Sequence, residues 1–424
     1  MSRIAIIGTG YVGLTTGACF AHLGHDVICA DIDVAKVARL QAGEIPIVEA
    51  GLDRLVAEGL RSGRLSFVVG AAAAAATAEF AYLCVPTPQG LDGSADLSYI
   101  ERAAAELAPI LPQEAIVVNK STVPVGSAKV VERVLGRPDI KVVSNPEFLR
   151  EGSAVHDFLN PDRIVIGADD QAAAVRVSAL YIGVAAPIIV TDPASAETIK
   201  YAANAFLSTK ISFINAVAAV CEAVGADVND VVLGIGYDKR IGQEFLRPGP
   251  GWGGSCFPKD TYAMIRIAED AGYDFKLLRG VVEVNQEQRR RVVAKIAHAV
   301  GGSLTGKTIA MWGLTFKART DDLRDSPALE VAAALIEAGA TVRAFDPTVH
   351  VDTLNGITVL QDPYAACEGA DALAVLTEWD DFRWLEVDKV AEVMKSKSVV
   401  DARNLLDRAA YLRAGFRYQG IGRS

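Results

Sequence analysis

The sequence has few cysteines and histidines, and they are scattered. Its 424 residues contain six cysteines and five histidines. No two cysteines form a CxxC pair, and none stands with histidines at the spacing of a zinc site, so we expect no metal. Cys19, Cys29 and Cys84 lie in apolar patterns, which is typical of small buried residues.

Long apolar runs and excess positive charge are also missing. No uninterrupted apolar stretch approaches the ~20 residues that span a bilayer. The first apolar run is short and lacks the longer hydrophobic region and cleavage site of a signal peptide. We therefore expect a cytoplasmic protein with no membrane partner. The net charge of −10 argues against a nucleic-acid partner, although a local basic cluster could still bind a small anion.

The pattern of apolar segments predicts an α/β protein. Strands alternate with helices in the first third of the chain and again after Lys307, which is typical of open parallel sheets covered by helices. Between these regions, Ser195–Val224 has the spacing of one long helix. We predict two Rossmann-like doubly wound domains joined by a helical middle domain with a long central helix. The predicted bounds are 1–193 for the first α/β domain, 194–300 for the middle domain and 301–424 for the C-terminal α/β domain.

Individual elements follow from the same patterns. The alanine run Ala71–Ala76 predicts a helical connection on the surface, and the loop Tyr237–Lys259 is long enough to suggest a function. The predicted strands are Arg3–Ile7, Val27–Ala30, Phe80–Val85, Ile116–Asn119, Lys141–Ser144, Arg163–Ile166, Ile188–Thr191, Thr308–Trp312, Thr341–Phe345, Ile357–Leu360, Ala372–Leu376 and Ser398–Val400.

Residues Gly8-Thr9-Gly10-Tyr11-Val12-Gly13 form a GxGxxG sequence between a strand and a helix. Glycines there allow a tight turn and close approach of a pyrophosphate to the helix N-terminus. The next strand ends at Asp31, and an acid in that place binds a ribose diol and repels a 2′-phosphate. The sequence therefore predicts NAD rather than NADP. For Asp33 we favour a helix cap or loop residue over direct contact.

Two further segments leave strands at the same predicted edge. Val85–Pro88 and Asn119–Gly126 place the hydroxyls of Thr87 and Thr122 where the nicotinamide half should lie. An alternative is that these threonines cap the helices that follow.

The segment Gly253-Gly254-Ser255-Cys256-Phe257-Pro258-Lys259-Asp260 suits a reactive thiol. Glycines give access, and a nearby cation favours the thiolate, which can hold an aldehyde covalently. Lys200 and Asn204 are four residues apart on the long helix and could donate to an oxyanion, or could simply form a pair on the helix surface. Glu147, Arg150 and Glu151 follow another strand and form either a site or a solvated turn.

These motifs together resemble the UDP-glucose/GDP-mannose dehydrogenase family along essentially the whole chain. Its markers are Gly8–Gly13, Val85–Pro88, Lys120–Gly126, Asn145–Glu151, Lys200 with Asn204, Gly253–Asp260, and Gly313–Lys317 with Thr320–Pro327. Arg240-Ile241-Gly242 and Phe245–Gly249 are most similar to the branch that acts on UDP-glucose.

The resemblance implies oxidation of UDP-glucose to UDP-glucuronate by two NAD. Cys256 would attack the aldehyde, Lys200 and Asn204 would hold the oxyanion, and Asp260 would lie near the departing proton. Thr122 and Glu151 would position water, with Glu147 in support. Cofactor contacts are implied for Gly8, Gly10, Tyr11, Val12, Gly13, Asp31, Lys36, Thr87, Thr122, Glu151, Lys259 and Arg324. Substrate contacts are implied for Glu147, Phe148, Leu149, Arg150, Glu151, Lys200, Asn204, Arg240, Phe245, Leu246, Arg247, Gly249, Gly253 and Lys317.

The resemblance also implies a homodimer across the long helix, in which Arg240 comes from a neighbouring subunit. Two alternatives stay open. The same chemistry could act on GDP-mannose or another nucleotide-sugar. The second alternative is a non-catalytic protein that binds a nucleotide-sugar, although such a protein would have no need of an exposed thiol.

Overall fold

The computed structural model describes residues 1–88, 90 and 96–423. The chain separates into two compact units. The first contains Met1–Ala203 and Tyr262–Ala271, and the second contains Asn204–Thr261 and Gly272–Ser424. The two units are defined by the contacts within each of them. They do not test the bounds of the three predicted domains, which remain a prediction.

An eight-stranded sheet forms the centre of the first unit, in the order β3-β2-β1-β4-β5-β6-β7-β8. The inner strands are short apolar runs buried on both faces, as expected where helices cover a parallel sheet. The strands are β1 (Arg3–Ile7), β2 (Asp26–Asp31), β3 (Leu65–Val69), β4 (Phe80–Leu83), β5 (Ile116–Asn119), β6 (Lys141–Ser144), β7 (Ile164–Gly167) and β8 (Ile188–Thr191).

Helices connect these strands and bury their apolar faces on the sheet. The aromatic ring of Phe20 on the first helix packs between Tyr82, Phe158 and Tyr181 in one core cluster. The helices are α1 (Tyr11–His22), α2 (Val34–Gln41), α3 (Leu52–Ser62), α4 (Ala71–Ala75), α5 (Ser98–Leu107), α6 (Ser127–Leu135), α7 (Ala154–Leu159), α8 (Gln171–Ala179) and α9 (Pro193–Val224), which continues into the second unit.

Two expectations for this unit are wrong. The sheet is mixed, because β6 pairs with β7 in antiparallel orientation through Ser144 and Gly167. Strand β3 is absent from the predicted set, although it pairs with β2 over five residues. The expectation of a surface helix at the alanine run is met on one face: Ala72 and Ala73 of α4 are exposed, whereas Ala71, Ala74 and Ala75 are buried in the core.

Helix α9 is long and apolar enough to cross a membrane by length and composition. Its polar side chains, however, bond to other parts of the protein. Glu197 accepts from Ser144 in the first unit, whereas Ser212 donates to the Val281 carbonyl and Asn215 accepts from the Gly249 amide in the second. These bonds show that one face of α9 packs against other parts of the protein, since lipid offers no such partners.

The second unit contains a seven-stranded sheet in the order β11-β12-β10-β9-β13-β14-β15. Two of its strands, β11 and β15, are absent from the predicted set. The strands are β9 (Thr308–Trp312), β10 (Thr341–Phe345), β11 (Thr353–Leu354), β12 (Ile357–Val359), β13 (Ala372–Val375), β14 (Ser398–Asp401) and β15 (Arg417–Gly420). The helices are α10 (Val228–Gly236), α11 (Phe257–Asp270, whose last residues belong to the first unit), α12 (Lys276–Ala299), α13 (Pro327–Glu337), α14 (Pro363–Cys367), α15 (Val387–Val393) and α16 (Arg408–Arg413).

Candidate active site

The turn between β1 and α1 has the shape that a dinucleotide requires. Gly8 has φ of +99°, and a Cβ there would lie 2.6 Å from the Cys84 carbonyl oxygen. A Cβ on Gly13 would lie 1.9 Å from the carbonyl oxygen of Gly8. At Gly10, which precedes α1, a Cβ would meet nothing within 4 Å. Two glycines are thus needed for packing, and the third leaves room for a pyrophosphate beside the helix N-terminus.

Asp31 stands at the end of β2 beside this turn. Its Oδ2 accepts hydrogen bonds from the Thr9 amide at 3.0 Å, the Thr9 hydroxyl at 2.6 Å and the Lys36 ammonium at 2.9 Å. Burial alone would raise the pKa of Asp31, but these donors outweigh it and lower the pKa to about 2. A permanently charged carboxylate here would accept from a ribose diol and repel a 2′-phosphate. Asp33 caps α2 by accepting from the Lys36 amide, as we favoured.

The second unit contains a similar turn at Gly313, but the acid that follows its second strand is buried. The Gly313 amide donates to the Phe345 carbonyl at 2.8 Å, just as the Gly8 amide donates to the Ala30 carbonyl at 2.8 Å. Asp346 follows β10 and accepts from the amide and hydroxyl of Thr315 and from the Trp379 indole. Asp346 is only 1% exposed. Donors of the protein itself therefore bind the Asp346 carboxylate, which would otherwise be able to accept from a ribose.

The two threonines at the strand ends do not cap helices. The Thr87 hydroxyl donates to the Thr122 carbonyl at 2.9 Å, which ties together the segments that leave β4 and β5. Helices α5 and α6 begin after Leu97 and Gly126, and no side chain caps the N-terminus of either helix. The capping alternative is therefore wrong, and both threonines are buried at this edge.

A buried ion pair lies at the end of β6. The Lys200 ammonium on α9 donates to Glu147 Oε1 at 2.9 Å, and both side chains are about 5% exposed or less. Burial alone would raise the pKa of Glu147, but attraction to Lys200 and its hydrogen bond outweigh this and lower the pKa. The alternatives of a solvated turn and of a helix-surface pair are therefore wrong for these two residues. Removing either partner would leave an uncompensated buried charge.

The rest of the loop after β6 is held around this pair. The Phe148 ring stacks on the Arg163 guanidinium, 3.7 Å from ring centre to Cζ. The Leu149 amide donates to Glu147 at 2.6 Å. Arg150 forms a two-point ion pair with Asp157, and Glu151 is half-buried.

Two buried charged residues support this region and are missing from the predicted site. Glu197, one turn before Lys200 on α9, accepts from the Gly126 amide at 2.6 Å, the Ala128 amide at 3.0 Å and the Ser144 hydroxyl at 2.9 Å. It thus fixes the end of the Thr122 loop. Lys120 is buried beside Asn145, and burial lowers its pKa to about 8 despite the nearby charge of Glu147. An acid at i−3 from Lys200 in an apolar helix was a usable signal for Glu197.

The second unit contains the thiol and its neighbours. Cys256 is half-buried and directly precedes α11, whose first turn begins with the Asp260 amide donating to the Cys256 carbonyl at 2.9 Å. A helix N-terminus stabilises a nearby anion such as a thiolate. Asp260 is fully buried and accepts from the Asn204 amide at 2.6 Å and from the Lys259 ammonium at 2.5 Å. By contrast, the other cysteines are all buried.

Burial makes three of the other thiols poor nucleophiles. Burial raises the pKa of Cys19, Cys84 and Cys367 to about 12 in each case. The thiolate is the reactive form, so these sulfurs are poor nucleophiles at neutral pH. The prediction that Cys19, Cys29 and Cys84 are buried is confirmed.

The loop before Cys256 is fixed by polar contacts from α9 and α12. The Gly249 amide donates to Asn215 at 2.9 Å, and its carbonyl accepts from Gln288 at 2.8 Å. A Cβ on Gly253 would lie 2.0 Å from the Asp325 carbonyl oxygen, so only glycine fits. Leu246 packs its side chain in the core, which leaves its backbone for any ligand contact.

The remaining predicted residues of this unit lie nearer solvent. Phe245 has φ of +65° and packs edge-on against Phe257. Arg247 is exposed and Lys317 half-buried. Two exposed arginines pair with acids two residues before them: Arg240 with Asp238 at 2.6 Å and Arg324 with Asp322 at 2.7 Å.

Sequence comparison shows which protein family this chain belongs to. Three domains described as the NAD binding, central and UDP binding domains of the UDP-glucose/GDP-mannose dehydrogenase family match residues 2–184, 194–287 and 310–408. The chain belongs to the UDP-glucose/GDP-mannose dehydrogenase family. It is an oxidoreductase with NAD as cofactor, and the Gly8–Gly13 turn and Asp31 fit that cofactor.

Individual relatives are similar along their whole length. The chain is 47% identical to UDP-glucose 6-dehydrogenase of Rhizobium meliloti (strain 1021) over 99% of both chains. It is 46% identical to UDP-glucose 6-dehydrogenase of Bacillus subtilis (strain 168), covering 100% of this chain and 94% of the relative. The structure of a UDP-glucose dehydrogenase from Pyrobaculum islandicum superposes with a TM-score of 0.92 at 38% identity, covering 100% of this chain and 98% of that one. The predicted Rossmann-like fold and family are confirmed.

Proposed function

We propose that this enzyme oxidises the C6 hydroxyl of UDP-glucose to a carboxylate, giving UDP-glucuronate. The observation that carries the proposal is the Cys256–Asp260 segment, in which a half-buried thiol at a helix start is followed by a buried carboxylate held by Asn204 and Lys259. Such a set suits oxidation beyond the aldehyde, because a thiol can retain the aldehyde covalently. The names of the relatives support UDP-glucose as the sugar nucleotide.

The proposed reaction balances over four steps. The alcohol first loses a hydride from C6 and its hydroxyl proton, which passes to Asp260 or to water beside it. The Cys256 sulfur then bonds to the aldehyde carbon, and the thiol proton is transferred to the oxygen. This thiohemiacetal loses a second hydride and proton to become a thioester. Water attacks the thioester, the carbon–sulfur bond breaks, and the acid and the thiol are released.

Bound NAD would accept the hydride at each oxidation. The turn at Gly8, Gly10 and Gly13, with Tyr11 and Val12 at the helix start, would hold its pyrophosphate. Asp31 would hold the ribose diol, and Lys36 keeps that carboxylate in place. We assign the remaining contacts with the cofactor to Thr87, Thr122, Glu151, Lys259 and Arg324.

Side-chain donors would stabilise the charge that develops on the sugar oxygen. We propose Lys200 and Asn204 for this role, because preorganised buried donors are worth most where water is excluded. The ion pair with Glu147 holds the Lys200 ammonium in place. Glu151 and Thr122 would position the attacking water, with Glu147 in support.

Substrate binding is proposed for two loops and one lysine. The loop after β6, with Glu147, Phe148, Leu149, Arg150 and Glu151, would line the substrate. So would the loop with Phe245, Leu246, Arg247, Gly249 and Gly253, and Lys317 would contact the nucleotide. Arg240 would complete the site of a neighbouring subunit.

The ratio of NADH formed to UDP-glucose consumed tests the reaction. With limiting sugar and excess NAD we expect a ratio of two, since each molecule of acid requires two hydride transfers. NADP should replace NAD poorly, because Asp31 would repel its 2′-phosphate. A ratio of one would mean that the aldehyde is released and the thioester route is wrong. Activity with GDP-mannose but not with UDP-glucose would overturn the choice of substrate.

We also infer that the protein is a homodimer through α9. Phe206, Phe213, Val220 and Val224 are each more than half exposed, and their spacing of seven, seven and four residues puts them on one face of the helix. An exposed apolar stripe of this kind marks an interaction surface. A second copy fits it, because the stripe can pack against itself about a two-fold axis.

Sedimentation at micromolar concentration checks the dimer. Wild type should sediment with the mass of two chains, and Phe206→Asp combined with Phe213→Asp should shift it to one. Val175→Asp, at an equally exposed site on α8, is the control and should remain dimeric. A monomeric wild type would contradict the proposal. We further propose that the enzyme is cytoplasmic, which agrees with its five buried cysteines, since these are thiols rather than disulfides.

A further inference from the structure

Two distant segments of the first unit meet at the carboxylate of Glu49. Glu49 lies between α2 and α3, is 8% exposed, and belongs to none of the predicted site residues. The Tyr11 hydroxyl, at the start of α1, donates to Glu49 Oε2. The Gly152 amide donates to the same oxygen at 2.8 Å, and the Val155 amide donates to Oε1 at 3.4 Å. The Gly152 amide also lies 2.7 Å from the Tyr11 hydroxyl oxygen.

The two segments belong to different binding functions. Tyr11 is part of the Gly8–Gly13 turn, which holds the cofactor. Gly152 follows Glu147–Glu151 directly, the loop that we assign to the substrate. Glu49 therefore connects the start of α1 to the end of that loop through one buried group.

Loss of a hydrogen bond to the buried Glu49 carboxylate would cost free energy. Burial raises the pKa of Glu49, and the backbone donors of Val155 and Gly152 work against that rise. A buried carboxylate is costly unless donors satisfy it, so movement of Tyr11 away from Gly152 would leave the carboxylate short of a partner. Such a group transmits a displacement on one side to the other.

We propose that Glu49 is a positioning residue that links the dinucleotide turn to the loop at 147–155, so that binding of NAD orders this loop. The proposal rests on the proposed function in taking Glu147–Glu151 as the loop that binds the substrate. It adds a physical reason for the cofactor to prepare the substrate site, because order imposed on the loop beforehand lowers the cost of binding the sugar nucleotide.

A second carboxylate holds the same loop without making this connection. Asp157 accepts from the amide and side chain of Arg150 and from the Ser153 hydroxyl, all within seven residues of itself. It fixes the shape of the loop but has no bond to α1 among those found for it. Asp157→Asn should therefore loosen the loop and still leave it responsive to NAD.

Amide hydrogen exchange on the full-length enzyme tests the link. In wild type, saturating NAD should slow exchange in the segment 150–155 by about fivefold or more, the lower end of ordinary coupling between sites. In Glu49→Gln and in Tyr11→Phe this slowing should fall below about twofold at saturating NAD. Asp170→Asn removes a carboxylate that caps α8, outside the segment 150–155, and should behave as wild type.

Each outcome decides the proposal. Wild-type slowing in a folded Glu49→Gln variant would overturn it, as would an absence of slowing in wild type. If Glu49→Gln does not fold, Tyr11→Phe gives the same test, because it removes only one hydroxyl. The experiment uses NAD alone. A wild type that shows the slowing but forms no NADH from UDP-glucose would therefore refute the proposed function while leaving the link intact.

Discussion

Replacement of Cys256 by alanine or serine is expected to abolish formation of UDP-glucuronate while NAD binding stays within a few-fold of wild type. The thiol is the group that would hold the aldehyde between the two oxidations. Without it the acid can form only by slow oxidation of the free hydrate, so we expect a loss on the order of 10³-fold or more, as when other nucleophiles are removed. Serine is no substitute, because its hydroxyl ionises far less readily than a thiol.

The measurement is acid formed per enzyme per second, with NAD affinity determined separately by calorimetry. Cys221→Ala is the matched control, because Cys221 is a buried cysteine of the same unit that packs in the core. It should lower stability slightly and leave turnover within about twofold, as expected for a truncation away from the chemistry. Acid formation at the wild-type rate in Cys256→Ala would remove the thiol from the mechanism.

Asp260→Asn is expected to lower kcat by roughly 10²–10⁴-fold with a small effect on KM, the range for loss of a general base. The carboxylate is fully buried and held by Asn204 and Lys259. Asparagine has the same size but cannot accept a proton, and it leaves the Lys259 ammonium without its acidic partner. Both effects act on the reacting group more than on the affinity for substrate.

Stability must be separated from catalysis in this variant. Thermal unfolding should show a moderate decrease, since loss of one partner from a buried pair destabilises the fold. The control is Asp227→Asn, which removes a carboxylate of the same unit that caps α10 and pairs with Arg423. Its turnover should stay near wild type. A folded Asp260→Asn with kcat within threefold of wild type would contradict the role of base, as the expected loss is at least about 10²-fold.

Local signals in the sequence predicted much of the fold. The strands around Gly8, Asp31 and Asn119 were found because each is a short apolar run that ends in turn or polar residues. The orientation of β7 was not predictable from its own residues. Its antiparallel pairing with β6 depends on how the chain between Asn145 and Arg163 turns back, and no local pattern specifies this.

The candidate site shows the same division. Cys256 and the glycine turn were found because their neighbours in sequence are also their neighbours in space. Glu49, Glu197 and Lys120 were missed because their partners lie up to 106 residues away along the chain. Thr87 illustrates the opposite error. Its place after a strand left a helix cap open as an alternative, but its hydroxyl donates to the Thr122 carbonyl instead.

The turn at Gly313 carries a lesson for protein engineering. Asp346 stands where Asp31 stands in the other sheet, yet its carboxylate is already saturated by Thr315 and Trp379. A designer who wished to graft a second dinucleotide pocket onto this sheet could not do so by adding glycines alone. Trp379 would have to be replaced as well, since its indole occupies the acceptor that a ribose would need.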